Sequence, residues 1–268
     1  MASWLPSAGE DIAEAYLVEA EALREAITSQ FWDDETGAFT DSPQNTTLHP
    51  QDANSLALAY GITSPDSVSA GRISDYLASL WTPVGPSAPE LPGNVSPFTS
   101  SIELQAHLAA GRPERAVELM RTLWGWYLNH ENGTQSTTPE GFLTDGSWGY
   151  RFNNEYNNGA SYTSHAHCWA SGPTSALTEG VVGLRVEEPA GRRWVVGPAS
   201  FDVLRRAQAG FTTRLGRFSA GFEVKGHKAT VWWDTPRETK GVVQLPGADP
   251  VEVRGGKHRM VVPIRNKG

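Results

Sequence analysis

The residues of this chain that could do chemistry are concentrated between positions 136 and 183. Glu140 stands in a loop rich in glycine and aromatic residues, and residues 165–167 (His-Ala-His) follow it, with Trp169 close behind. Loops that carry isolated ionisable and aromatic residues are where binding and catalytic groups concentrate. This segment therefore indicates a carboxylate that donates or accepts a proton, next to aromatic rings that suit a polar, ring-shaped ligand.

A purely structural interpretation of the same residues stays open at this point. Loop glutamates are commonly just solvated, and histidine or tryptophan near a helix start often packs or caps. Trp169, Trp148 and Trp81 could each stack on the C–H face of a sugar ring, but core packing is favoured for the last two. His165 is predicted to be structural or solvent-facing.

A second group of polar residues opens a short apolar helix. Gln51, Asp52 and Asn54 could reach sugar hydroxyls from that helix start, although Asp52 would serve equally well as an N-cap. A His-x-His pair without a carboxylate or cysteine at ligand spacing does not support a metal site, so neither metal nor cofactor is expected. Cys168 is predicted to be a buried small residue rather than a nucleophile.

Composition excludes several classes of function. The chain has 268 residues and a formal charge of −8, which argues against binding to nucleic-acid phosphates. It has one cysteine, so it cannot form an intramolecular disulfide. We expect no nucleic-acid partner and no membrane partner, because no basic run and no apolar run of spanning length occurs. The N-terminus lacks the pattern of a signal peptide, and a secreted or a cytoplasmic location remains possible.

The hydrophobic pattern changes once along the chain. Helical spacing is found over 7–31, 51–60, about 64–80, about 99–110 and from Pro113 onward, with a last helix from about 173 to 182. Beyond residue 185 the pattern has period two, with strands predicted at 218–224, 229–233, 241–245 and 260–263. We therefore predict an α+β protein of two domains, 1–184 and 185–268: about three helical hairpins followed by a small antiparallel β-sandwich.

Two long motifs give the chain a family resemblance. The runs STTPEGFLTDGSWGY and YTSHAHCWASGPTSALTEGVVGL resemble the α-L-rhamnosidases, glycoside hydrolase family 78. Glu140 and Gly141 match the loop that carries that family's general base, although Thr138-Pro139 stands where an aromatic residue usually precedes the acid. The matches to the second motif are Ser164, His167, Trp169, Gly172, Pro173 and Thr174, with Cys168 in place of a glycine.

The resemblance covers nearly the whole chain and implies both a fold and a reaction. The helical part resembles the second half of an (α/α)6 six-hairpin barrel, and the tail resembles the β-sandwich that follows it. The implied reaction is hydrolysis of terminal α-L-rhamnosyl residues with inversion, with Glu140 as general base and His167 as its pocket neighbour. The implied partner is a rhamnosylated glycan or glycoside, bound with help from Trp169, Gln51, Asp52 and Asn54.

The family's general acid lies in the first half of the barrel, and no stretch in residues 1–135 matches its motif. We therefore expect an incomplete chain that self-associates or needs a missing N-terminal portion, and whose activity alone is in question. Two alternatives remain: a non-catalytic carbohydrate-binding or structural fragment, and a six-hairpin glycosidase of another specificity. Neither the linkage nor the aglycone follows from the sequence.

Overall fold

The structure of the protein, a computed structural model, describes residues 10–65, 67–151 and 160–264. The chain divides into two units, Met1–Gly172 and Pro173–Gly268. Helices and short strand pairs build the first, and a six-stranded sheet dominates the second. The protein is thus a mixed helix-and-sheet structure, as predicted. The division at 184/185 lies further along the chain than this unit boundary and stays a prediction.

Helices make up most of the first unit. They are α1 (Glu10–Phe31), α2 (Gln51–Ala59), α3 (Val68–Ser79), α4 (Pro97–Ala109), α5 (Pro113–Leu119) and α6 (Gly125–Asn129), while α7 (Gly172–Ser175) begins at the last residue of this unit. A π-helical turn, Met120–Trp124, joins α5 to α6, and another, Ala176–Val181, extends α7. Within the described ranges no helix is both long and apolar enough to cross a bilayer. The predicted cap at Ser7 lies outside the described residues.

Capping side chains set where two of these helices begin. Ser67 precedes α3, and its side chain accepts a hydrogen bond from the Ala70 N–H at 3.1 Å. The predicted start at residues 64–65 is therefore wrong, because those residues belong to the turn before the cap. Ser96 caps α4 in the same way, with Pro97 in the first turn. Local capping chemistry thus places the start of α4.

A buried polar network ties α2 and α3 to α4. The Glu103 side chain is fully buried and accepts hydrogen bonds from Gln51 Nε2 and Trp81 Nε1, both at 2.6 Å. His107 Nε2 lies 3.1 Å from the same carboxylate, and its Nδ1 lies 2.8 Å from the Ser74 hydroxyl. Because a buried charge is costly unless it is hydrogen-bonded, removing any partner would destabilise this helical packing.

The strands of the first unit have two residues each, and those of the second unit have 3 to 16 residues. They are β1 (Trp32–Asp33), β2 (Ala38–Phe39), β3 (Trp81–Thr82), β4 (Gly85–Pro86), β5 (Asn94–Val95), β6 (Phe142–Leu143), β7 (Leu184–Val186), β8 (Arg193–Val196), β9 (Arg206–Thr213), β10 (Gly216–Lys225), β11 (Lys228–Val243) and β12 (Val251–Pro263). The first six form two-stranded antiparallel pairs, β1–β2, β3–β4 and β5–β6.

The predicted sandwich is supported only in part, because the six strands of the second unit form one hydrogen-bonded sheet. The order is β7-β8-β11-β10-β9, with β12 also on β11, and the β8–β11 pair is parallel. The predicted strands 229–233 and 241–245 are one strand, β11. An irregularity between Thr235 and Lys240 interrupts its pairing with β12, so β11 pairs with β10 before that point and with β8 after it.

The core of the second unit is centred on aromatic side chains. Trp194, Phe218 and Phe222 are all fully buried in one cluster. The Trp194 indole donates to the Thr239 hydroxyl at 2.8 Å, which satisfies its only polar atom. Gly241, opposite Trp194 on the parallel neighbour, leaves room for the indole ring.

Gly241→Ala should destabilise the sheet. An added Cβ would lie 2.3 Å from the Trp194 ring, so either the ring or the strand must move. Overpacking of this kind costs about 1–3 kcal/mol. Urea unfolding followed by tryptophan fluorescence measures the change. Lys228→Ala, an exposed position on the same strand, is the control and should change stability by less than about 0.5 kcal/mol. Equal stability of the two variants would contradict the packing described.

Candidate functional site

The two motif segments of the sequence, which carry Glu140 and His167, run side by side. The Glu140 N–H donates to the Ser164 carbonyl at 2.8 Å, and the His167 N–H donates to the Thr138 carbonyl at 2.7 Å. The Thr138 hydroxyl adds a bond to the His167 carbonyl at 2.9 Å. Residues that lie about 25 positions apart in sequence therefore form one site.

The same pairing orients the carboxylate of Glu140. Its Oε2 accepts a hydrogen bond from the Ser164 N–H at 3.2 Å, and the residue is partly exposed. A backbone N–H is a rigid donor, so it directs the carboxylate without the entropy cost of ordering another side chain. Glu140 is thus a positioned carboxylate that solvent can reach.

The residues after Glu140 anchor it to the helical unit. Phe142 is fully buried and pairs with Val95 in the β5–β6 ladder. The Tyr150 ring lies against Gly141, where an added Cβ would come within 2.1 Å of the ring. Glycine is therefore required beside the candidate base, because any side chain there would displace the tyrosine.

Two carboxylates act on the buried Tyr150 hydroxyl. Burial raises the pKa of Tyr150, a hydrogen bond from Ser96 and the charge of Arg151 oppose the rise, and the charges of Glu140 and Glu90 add to it. Glu90 was missed by the sequence reasoning, since it lies in a proline-rich loop that matches no catalytic motif. It is the second carboxylate whose charge reaches Tyr150.

Glu90 also replaces the missing cap of α2. Pro50 occupies the N-cap position and offers no side-chain hydrogen bond. The Glu90 carboxylate instead accepts from the N–H groups of Gln51 at 2.9 Å and Asp52 at 3.3 Å. Burial raises the pKa of Glu90, and the two backbone N–H bonds oppose that rise.

An exposed aromatic pair stands next to the motif segments. Phe98, in the first turn of α4, stacks on Trp169 with ring centroids 4.5 Å apart. Trp169 is 61% exposed and Phe98 36% exposed, so the stack is open to solvent. The His167 ring lies 5.0 Å from the Trp169 ring. Trp169 was expected to bind ligand; Phe98 was not, because no sequence signal marks it as a binding residue.

The backbone after Trp169 is fixed against α4 and the π-helical turn. The Ala170 carbonyl accepts from the Trp124 indole at 2.9 Å, and the Gly172 N–H donates to the Ser101 hydroxyl at 3.1 Å. A Cβ on Gly172 would lie 2.4 Å from the Ser101 Cβ, which explains the glycine of the motif. Trp169 is therefore exposed on a rigid backbone.

His165 belongs to a separate aromatic cluster. The Trp148 indole donates to His165 Nε2 at 3.1 Å, and Trp148 also stacks near Tyr127 and His130. Trp148 is partly buried within that cluster. Both residues have packing partners, in keeping with the structural interpretation of His165 and the core interpretation of Trp148.

The structure does not bring Gln51 or Asn54 to a surface. Both are fully buried. Gln51 donates to Glu103, and the Asn54 amide exchanges hydrogen bonds with the Phe39 backbone at 2.7 and 3.0 Å. Only Asp52 of this group is exposed. Polar residues at the start of α2 look the same in the sequence whether they face a ligand or the protein interior, and here Gln51 and Asn54 face the interior.

Cys168 and the histidines beside it do not form a metal site. Cys168 is exposed, so the prediction that it is buried is wrong; it lies in a 3-10 turn that points outward. In the parts of the chain that the structure describes, no group of three or more His, Cys, Asp or Glu side chains could hold a metal ion. What this region does offer is a carboxylate, an imidazole and an exposed aromatic pair.

Comparison with known proteins identifies what this arrangement resembles. The family model for the bacterial alpha-L-rhamnosidase C-terminal domain matches residues 183–260. No curated protein matches the chain.

Three solved structures share the fold. Native α-L-rhamnosidase from Aspergillus terreus has 21% identity and a TM-score of 0.66 over 93% of this chain and 27% of its own. The Streptomyces avermitilis α-L-rhamnosidase complexed with L-rhamnose has 18% identity and a TM-score of 0.66, covering 93% and 24%. The α-L-rhamnosidase from Dictyoglumus thermophilum has 16% identity and a TM-score of 0.69, covering 97% and 30%.

These findings confirm the resemblance drawn from the motifs. Residues 183–260 match the family model of the bacterial alpha-L-rhamnosidase C-terminal domain, and the chain shares the fold of three solved α-L-rhamnosidases. It spans between 24% and 30% of the length of those three structures.

Glu90→Gln should raise stability at neutral pH. The pKa of Glu90 in the folded protein lies above its ordinary value of 4.5, so folding favours the protonated carboxyl. The stability of the wild-type protein therefore falls as the pH rises through that raised pKa. Glutamine removes the charge and keeps one acceptor oxygen for the 2.9 Å bond from the Gln51 N–H, while the longer 3.3 Å bond from the Asp52 N–H is lost. Thermal unfolding at pH 4 and pH 7 measures the difference, which should appear at pH 7 and shrink at pH 4. Glu35→Gln, at an exposed position, is the control; a stability loss at pH 7 specific to Glu90→Gln would contradict this assignment.

Proposed function

We propose that this chain is part of a glycoside hydrolase that removes terminal α-L-rhamnosyl residues with inversion. The observation that supports this most is the backbone pairing that brings Glu140 next to the segment carrying His167 and Trp169. The relative from Streptomyces avermitilis was solved with L-rhamnose, which supports a carbohydrate ligand. The three related structures are of longer proteins, of which this chain covers 24% to 30%, so the hydrolytic activity and its substrate are proposals for this chain.

The proposed base is Glu140. Inverting glycosidases use two carboxyl groups about 6.5–9.5 Å apart, one of which takes a proton from the attacking water. Glu140 is accessible to water, and the Ser164 N–H holds its Oε2 in one orientation. His167, on the neighbouring segment, is proposed to bind a sugar hydroxyl or to orient Glu140 through such a contact.

The proposed sugar platform is the stack of Trp169 on Phe98. A pyranose presents a C–H face that packs on an aromatic ring, and the outer face of Trp169 is open. The Phe98 ring supports Trp169 from beneath, so little side-chain entropy is lost when a sugar binds. Gln51 and Asn54 are given a structural role instead, because their amides are committed to Glu103 and to backbone groups.

The helical unit is proposed to be half of an (α/α)6 barrel, completed by further helices. The first helix, α1, exposes Tyr16 at 61%, Val18 at 67% and Leu23 at 54%. Apolar side chains of that size on one helix are normally covered. Coverage by further hairpins of a longer polypeptide, which would also supply the general acid, or by a second copy would remove them from water.

Non-catalytic carbohydrate binding is a second candidate function. The exposed aromatic pair favours it, because stacking on Trp169 and Phe98 needs no acid or base. The two candidates differ in one measurement. Hydrolysis of an aryl α-L-rhamnoside by a polypeptide carrying this sequence supports the enzyme, whereas L-rhamnose binding without turnover in the longest available version supports the binding protein.

Glu140→Gln should reduce hydrolysis of an aryl α-L-rhamnoside by about 10²–10⁴-fold, because base assistance is lost while the amide keeps the shape of the side chain. The assay uses the complete enzyme that carries this sequence, and the 268-residue chain itself if it proves active. Affinity for L-rhamnose should change little. Glu131→Gln, in the exposed stretch before the motif, is the matched control. Unchanged turnover in Glu140→Gln would remove this residue from the mechanism.

Trp169→Ala should weaken L-rhamnose binding by about tenfold, the loss expected when roughly 1–1.5 kcal/mol of stacking is removed. Trp169→Phe should retain most of the affinity, since the platform stays aromatic. Tyr60→Ala, which removes a 78% exposed aromatic side chain elsewhere, is the control. Isothermal titration of the chain with L-rhamnose measures all three. Equal affinities for wild type and Trp169→Ala would place the sugar away from this stack.

A further inference from the structure

Three cationic side chains lie side by side in the second unit. Lys240 on β11 is in register with Arg193 on the parallel strand β8 and with Arg254 on the antiparallel strand β12. Like charges at facing positions of neighbouring strands repel each other and destabilise a sheet. Lys240 and Arg254 are exposed, so an anion from solvent can reach this group and would relieve the repulsion.

The three cations line one cavity. Its volume is about 270 Å³, and its lining consists of Arg193, Lys240, Gly241, Glu252, Val253 and Arg254. That volume is near the lower end of ligand pockets, roughly 300 Å³, and suits a molecule the size of a monosaccharide. The cavity is built entirely from β8, β11 and β12, so the sheet itself holds its walls in place.

The protein supplies only part of the compensating charge. Arg193 pairs with Glu252 at 2.9 Å and with Glu187 at 3.4 Å, and these pairs raise the pKa of Arg193. Among the residues that the structure describes, the side chains of Lys240 and Arg254 have no hydrogen-bonding or ion-pair partner. Three cations stand against two carboxylates, so one positive charge stays uncompensated.

We propose that this cavity binds a small oxyanion with one negative charge, and that the ligand is the carboxylate of an acidic monosaccharide. The planar Arg254 guanidinium can offer two parallel N–H donors to a carboxylate, and the Lys240 ammonium adds a compact charge beside it. Glu252, the one acid in the lining, is placed to accept from sugar hydroxyls. The site does not depend on Glu140 or on any hydrolytic activity of the chain.

The test is isothermal titration of the full chain with sodium D-glucuronate, with inorganic phosphate and neutral D-glucose in separate arms at matched ionic strength. Glucuronate should bind, glucose should bind at least tenfold more weakly, and 0.5 M NaCl should abolish the difference because exposed charges are screened. Lys240→Gln and Arg254→Gln should each weaken glucuronate binding about threefold to fivefold. Glu252→Gln should strengthen it by a similar factor, since it removes a repelling charge and releases Arg193.

Two controls separate a local site from general charge. Lys228→Gln on β11 and Arg259→Gln on β12 remove the same charges from exposed positions outside the cavity, and both should leave affinity unchanged. Circular dichroism of every variant verifies that the sheet is retained. Equal binding of glucuronate and glucose, or equal losses in cavity and control variants, would overturn the proposal. Tighter binding of phosphate than of glucuronate would overturn the assignment of a carboxylate ligand.

Discussion

The candidate site depends on the backbone pairing between the Glu140 loop and the segment that carries His167. Two backbone hydrogen bonds of 2.8 and 2.7 Å join them, and the carboxylate of Glu140 is directed by a third N–H donor from Ser164. Loop residues usually lack fixed orientation because nothing opposes their conformational entropy. Here the pairing, with the anchors at Phe142 and Gly172, supplies the constraint that a helix or strand would otherwise provide.

The helical unit supports this loop through polar contacts as much as through its apolar core. The buried Glu103 carboxylate collects donors from α2, β3 and α4, so the helix whose first turn carries Phe98 is held in place by charge-assisted bonds. Glu90 performs the analogous task at the start of α2, where Pro50 cannot cap. Both carboxylates are structural by geometry, whereas the carboxylate of Glu140 is partly exposed to solvent.

Features that are marked by residues next to each other in the sequence were predicted better than features that depend on distant contacts. The helix start at Pro113 was found, whereas the cap predicted at residues 64–65 was misplaced because Ser67 caps that helix. The motif match placed Glu140, His167 and Trp169 in neighbouring segments. The orientation of α2 was not predictable: an amide such as Gln51 at a helix start looks the same facing a ligand or facing Glu103. The long β11 was predicted as two separate strands, whereas the structure has one strand with an irregularity between Thr235 and Lys240. Phe98 was missed because nothing local marks an aromatic residue as a partner for Trp169, 71 positions away.

A crystal structure of the chain soaked with L-rhamnose tests the central claim most directly, because it locates the sugar without requiring catalysis. The account predicts a pyranose ring packed on the open face of Trp169, with its hydroxyls directed towards His167 and its anomeric carbon towards the carboxylate of Glu140. Rhamnose bound elsewhere on the chain, with Trp169 and Glu140 making no contact to it, would contradict the account.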